Sequence, residues 1–127
     1  GNLIQIDTNG NFKRNNLNLS ENSMINIFDD KLIYISEDIL SIKGIDVKLP
    51  VGRYSKPKIF NISRNFFVGT TDLNDNNIYL FNDSGELVKG FPLKGSSSYD
   101  LIDSDMDGKL EIISKIDNFS IVSYEIN

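Results

Sequence analysis

The chain has 127 residues and a formal net charge of −5, from 13 Lys plus Arg against 18 Asp plus Glu, with neither Cys nor His. That balance excludes nucleic acid or an anionic membrane as the main partner, because both demand a basic patch, and no apolar stretch approaches the roughly 18 residues that a membrane-spanning helix needs. Disulfides and thiolate metal sites are excluded, and the commonest general base and transition-metal ligand is missing.

At this length the chain, 1–127, is one domain or a piece of one, with a modest core. A start at Gly1 rather than Met points to an excised or processed segment. Leu3-Ile-Gln-Ile6 is the first run of β-formers, followed by the Gly-ended turn Asp7-Thr-Asn-Gly10. From Leu19 to Lys43 there is no Gly or Pro, and Met24, Ile27, Phe28, Leu32, Ile35, Ile39 and Leu40 also fit one face of a helix. Strands are the preferred reading, because Asp29-Asp30 and Glu37-Asp38 interrupt the apolar runs as turns do, and Leu32-Ile-Tyr-Ile35 is rich in β-formers. Asp72-Leu-Asn-Asp-Asn-Asn77 reads as a hairpin loop before Ile78-Tyr-Leu-Phe81, which runs into the turn Asn82-Asp-Ser-Gly85. Phe119 to Tyr124 predicts the last strand.

Pro50 and Pro92 stand 42 positions apart, inside the span of about 40 to 45 residues of four-stranded propeller repeats. Approximate repeats at 1–49, 50–91 and 92–127 follow. The predicted fold is all-β, made of antiparallel β-propeller-like blades, about three of them, incomplete or part of a larger propeller.

The most informative stretch is Asp103-Ser-Asp-Met-Asp-Gly-Lys-Leu-Glu111. Calcium takes six to eight hard oxygen ligands, so a short loop that binds it must aim several carboxylates and a backbone carbonyl inward. Asp103, Asp105, Asp107 and Glu111 are placed to supply side-chain oxygens and Lys109 a carbonyl, while Gly108 provides the sharp turn. An EF-hand needs an acid at the twelfth position and flanking helices. Here the twelfth residue is Ser114 and the flanks, Tyr99 to Ile102 and Leu110 to Ile113, favour strands. Aligning Lys58 to Thr70 with Asp100 to Ser114 pairs Asn61, Ser63 and Asn65 with Asp103, Asp105 and Asp107, a loop that has lost its charges and holds no metal.

Gly90-Phe-Pro-Leu93, the acidic loop and Ile112-Ile-Ser114 together resemble an FG-GAP or VCBS-type repeat. That β-propeller unit is also found in the head of integrin α subunits and in many exported bacterial proteins. The resemblance covers mainly residues 66–127. It implies a calcium loop that joins two strands of a blade, with Asp103, Asp105, Asp107, the Lys109 carbonyl and Glu111 as ligands. An extracellular, cell-surface or periplasmic location goes with it.

No catalytic set emerges. Ser96 to Ser98 beside Tyr99 reads as a polar loop, and Lys56, Lys58 and Arg64 as solvated strand ends. Tyr34, Phe66, Phe67, Tyr79, Phe81 and Phe91 read as packed core. The expected function is a non-catalytic, calcium-stabilised repeat module with a structural or binding role in a larger exported protein. The alternative is an accessory part of a propeller-based carbohydrate-active enzyme or lyase whose active site lies elsewhere. Expected partners are a protein or carbohydrate ligand, or further copies through exposed edge strands.

Overall fold

The computed structural model describes residues 1–126, and every regular element in them is a strand. Thirteen strands form four antiparallel sheets in chain order. The first pairs β1 (Asn2–Ile6) with β2 (Phe12–Asn16). The second is a meander of β3 (Met24–Phe28), β4 (Lys31–Ser36), β5 (Ile39–Ile42) and β6 (Ile45–Lys48). The third repeats that order with β7 (Lys58–Ile62), β8 (Asn65–Asp72), β9 (Asn77–Asn82) and β10 (Leu93–Lys94). The fourth has three strands, β11 (Asp100–Ile102), β12 (Leu110–Lys115) and β13 (Ile121–Ile126). Residues 1–49 thus hold two of the sheets.

The segment that also fits a helical face is three strands, with Asp29 and Asp30 in the β3–β4 turn and Glu37 and Asp38 in the β4–β5 turn. Both aspartates take positive φ, 47° and 57°, as a two-residue turn matched to strand twist requires at both central positions. Ser63-Arg64 between β7 and β8 and Lys43-Gly44 between β5 and β6 do the same. The last strand starts later than the sequence suggests. Phe119 lies in the turn and is 99% exposed, because Asp117 Oδ1 accepts the Phe119 amide at 2.8 Å and turns the chain before Ile121.

Two cores hold the sheets together. Between the second and third sheets lie Ile33, Ile35, Leu40 and Ile42 against Phe66, Val68, Tyr79 and Phe81. Between the third and fourth lie Phe60, Ile78 and Leu80 against Tyr99, Leu101 and Ile112. The period of two sorts these residues: along β9, Tyr79 and Phe81 enter one core while Ile78 and Leu80 enter the other. A strand buried on both faces reads as a continuous apolar run, and so Ile78 to Phe81 has no polar alternation. Each fully buried Ile or Leu contributes about 1.5 to 3 kcal/mol of transfer free energy.

Of the six aromatic side chains read as core, Phe66, Tyr79 and Phe81 are buried, while Phe67 and Phe91 are half-buried against the second cluster. Tyr34 lies outside both clusters, half-buried on the other face of β4. The first sheet is far more open, with Ile6 and Phe12 exposed. It is joined to the second sheet through residues 17–23, where the Ser20 amide donates to Ser36 Oγ at 2.9 Å.

Candidate metal centre

Four hairpins among the described residues turn in two residues, whereas β11 and β12 are joined by seven, Asp103 to Lys109. The loop folds upon its own carboxylates. Asp103 Oδ2 accepts the Gly108 amide at 3.0 Å, Asp105 Oδ1 accepts the Asp107 amide at 3.2 Å, and Asp107 Oδ1 accepts the Lys109 amide at 2.9 Å. Met106 and Gly108 reverse the chain with φ of 63° and 88°. Glycine suits the second position, and Met106 there is the less common non-glycine case.

Glu111 enters from β12 and is buried, unlike the three exposed aspartates. Its Oε2 accepts both the amide and the hydroxyl of Ser104, each at 2.6 Å. One oxygen from each of Asp103, Asp105, Asp107 and Glu111 lies within 4.8 Å of the others. Four predicted side-chain ligands are therefore brought together.

Lys109 does more than the sequence suggests. Its ammonium lies 3.0 Å from Glu125 on β13 and 3.8 Å from Asp107 Oδ2. The hydrogen bond to Glu125, then its charge, raise the Lys109 pKa, with smaller contributions from Asp105 and Glu111. Glu125 is also the direct cross-strand partner of Glu111, and like charges directly opposite one another destabilise a sheet. Asp103, Asp105, Asp107, Glu111 and Glu125 thus put five carboxylates on this loop and its two strands against the one ammonium of Lys109, an excess of negative charge that attracts a cation. Sequence reasoning did not find Glu125 or the Ser104 contact: the first requires the β12–β13 register, and a serine beside an aspartate is an ordinary turn signal.

The neighbouring hairpin corrects the proposed alignment. Asn61 and Asn65 belong to strands β7 and β8, and only Ser63-Arg64 form the turn, so no loop exists there to gather ligands. Within the Asp72 to Asn77 segment, residues 73–76 form the β8–β9 connection and Asp72 and Asn77 are the strand ends that flank it. Asp72 is wholly buried, caps that connection by accepting the Asn74 amide at 2.9 Å through Oδ1, and leaves Oδ2 without a hydrogen-bond partner. Ser96 to Ser98 join β10 to β11, with Ser97 Oγ and Ser114 Oγ 3.3 Å apart. Lys58 pairs with Asp100.

Hard carboxylate oxygens without nitrogen or sulfur suit calcium, magnesium or manganese and disfavour zinc or copper. The chain matches no protein-family model, no curated protein and no solved structure.

Proposed function

We propose that this chain is a non-catalytic, calcium-stabilised β-propeller-like repeat module, structural or ligand-binding in role, within a larger exported or surface protein. The observation that carries the reading is the convergence of four carboxylates within 4.8 Å on a seven-residue loop, where four sister hairpins need only two residues. Successive four-stranded meanders in chain order support the blade reading. In this reading Asp103, Asp105, Asp107 and Glu111 hold the ion with the Lys109 carbonyl. Calcium is preferred over magnesium because a flexible loop with several carboxylates suits its larger and less regular coordination shell.

The ion would neutralise carboxylates that otherwise repel, so that binding free energy becomes folding free energy for the β11–β12 hairpin. A dissociation constant on the order of 10⁻⁴ to 10⁻³ M, as in extracellular modules, would give about 1.4 to 2.7 kcal/mol of stabilisation at roughly 10 mM calcium. Thermal unfolding with calcium, with magnesium and with a chelator tests this. Calcium should raise the midpoint of the native chain more than magnesium does, and should leave Asp105→Ala unmoved. Coincident curves under all conditions would reduce the loop to an acidic turn.

A further inference from the structure

The tips of the hairpins β3–β4, β5–β6, β7–β8 and β9–β10 lie at one end of the second and third sheets. Between those sheets, at that end, opens a cleft of about 290 Å³. It is lined by Lys43 from the β5–β6 turn, Asn61, Arg64 and Asn65 from the β7–β8 hairpin, and Asp83 from the β9–β10 turn.

None of these five side chains has a hydrogen-bond or ion-pair partner among the described residues. In two longer turns a polar side chain is spent on its own backbone. Asp7 accepts the amides of Asn9 and Asn11, and Asn82 those of Ser84 and Glu86. The Ser63-Arg64 turn carries no such cap, so Asn61 and Asn65 keep their full donor and acceptor capacity.

Two cations share this cleft with a single carboxylate, in a chain whose net charge is −5. Lys43 is held over the Phe66 ring, its Nζ 4.0 Å from the centroid. Phe66 is fixed in turn by Phe28, whose ring centroid lies 5.1 Å away. One of the two cationic groups is therefore positioned before any ligand arrives, which lowers the cost of ordering it on binding. Phe67, half-buried, adds apolar surface to the wall.

We infer that this cleft binds a hydroxylated monocarboxylate the size of one sugar ring, a uronic acid residue. Arg64 and Lys43 take the carboxylate, Arg64 as a bidentate donor. Asn61, Asn65 and Asp83 take ring hydroxyls, for which mixed donors and acceptors are suited. Asp83 disfavours a dianion such as a phosphate monoester, because it would place like charges in one small site. The volume sits at the lower bound for small-molecule sites, roughly 300 Å³, which admits one ring and not an extended polymer segment.

The test is a heteronuclear NMR titration of the full chain with methyl glucuronide, with methyl glucoside and inorganic sulfate run in parallel, calcium being in excess throughout. Glucuronide should shift the backbone amides of Lys43 and Arg64 and the side-chain amides of Asn61 and Asn65. Arg64→Gln should weaken it about tenfold, the loss expected for one charged hydrogen-bonding group, with the rest of the spectrum unchanged. Lys43→Gln gives an independent check at a second exposed position, where folding is not at risk. Equal binding of glucoside overturns the carboxylate assignment, and equal binding of sulfate overturns the sugar assignment. Absent shifts, or shifts centred elsewhere, overturn the site.

Discussion

Lys58 and Asp100 form an ion pair across the gap between the third and fourth sheets, and each is the first residue of its strand, β7 and β11. They are 42 residues apart in sequence, the same interval that separates Pro50 from Pro92. Equivalent positions of consecutive sheets therefore touch. The pair is partly exposed, at 44% and 63% for the two side chains, so its worth is small. A double-mutant cycle of Lys58→Ala and Asp100→Ala should give a coupling of about 0.2 to 1 kcal/mol that shrinks as salt rises. A coupling that persists at high salt would mean that the pair is drier than its exposure indicates.

Gly69 sits where β8 passes Tyr99. A Cβ at this position would lie 2.3 Å from Tyr99 Oη, and that hydroxyl donates to the Tyr79 carbonyl at 2.6 Å inside the second core. Burial raises the Tyr99 pKa, so the phenol stays protonated and remains a donor. Gly69→Ala should destabilise by about 1 to 3 kcal/mol through overpacking. In a Tyr99→Phe background the penalty should be smaller, because the colliding oxygen is gone. Denaturant unfolding of the four chains measures both; equal penalties in the two backgrounds would show that the collision is not with the hydroxyl.

Asp7 should titrate below the ordinary aspartate value of 3.8, chiefly because the Asn11 side chain and then the Asn11 amide donate to its carboxylate. A folded-state pKa that is depressed contributes stability above the unfolded value, and that stability is lost as pH falls through the folded one. Following the Asp7 carboxyl by NMR from neutral pH downward gives the midpoint directly. Asp7→Asn should preserve the turn, since Asn82 makes the same contacts at the equivalent turn, and should remove this part of the acid sensitivity. An Asp7 midpoint at or above 3.8 would contradict the assignment.

The end sheets leave pairing groups open at β1, β2 and β13, and Ile6, Phe12 and Ile121 are exposed there. If copies pair through these edges, the mass in solution should rise with concentration, and Ile121→Lys on β13 should hold the chain monomeric. A compact monomer whose stability does not change on dilution would end the self-pairing idea.

Local chemistry was legible where one residue type does one job. The positive-φ turns at Asp29-Asp30 and Gly85, the runs Leu32 to Ile35 and Ile78 to Phe81, and the alternate carboxylates of the acidic loop all follow from neighbours in sequence. What depends on cross-strand register or on the packing of one sheet against the next was not legible. Glu125 opposite Glu111, Tyr99 reaching Tyr79 and Lys43 resting on Phe66 join residues 14 to 23 apart, and no short-range pattern encodes them. The same limit explains the misaligned Asn61 to Asn65 segment. Alternate polar residues look alike whether they line a loop or point outward from a pleated strand.

The third sheet lies inside both cores, the second and fourth inside one each. A molecule arranged in this way has a middle layer but no centre. Injury to an end sheet stays local, whereas a defect in β8 or β9 loosens both neighbours together, so tolerance to mutation should fall toward residues 65–82 from either side. Sheets joined in series also make length the free variable: another meander added at an end meets one neighbour and leaves the packing of the others as it was.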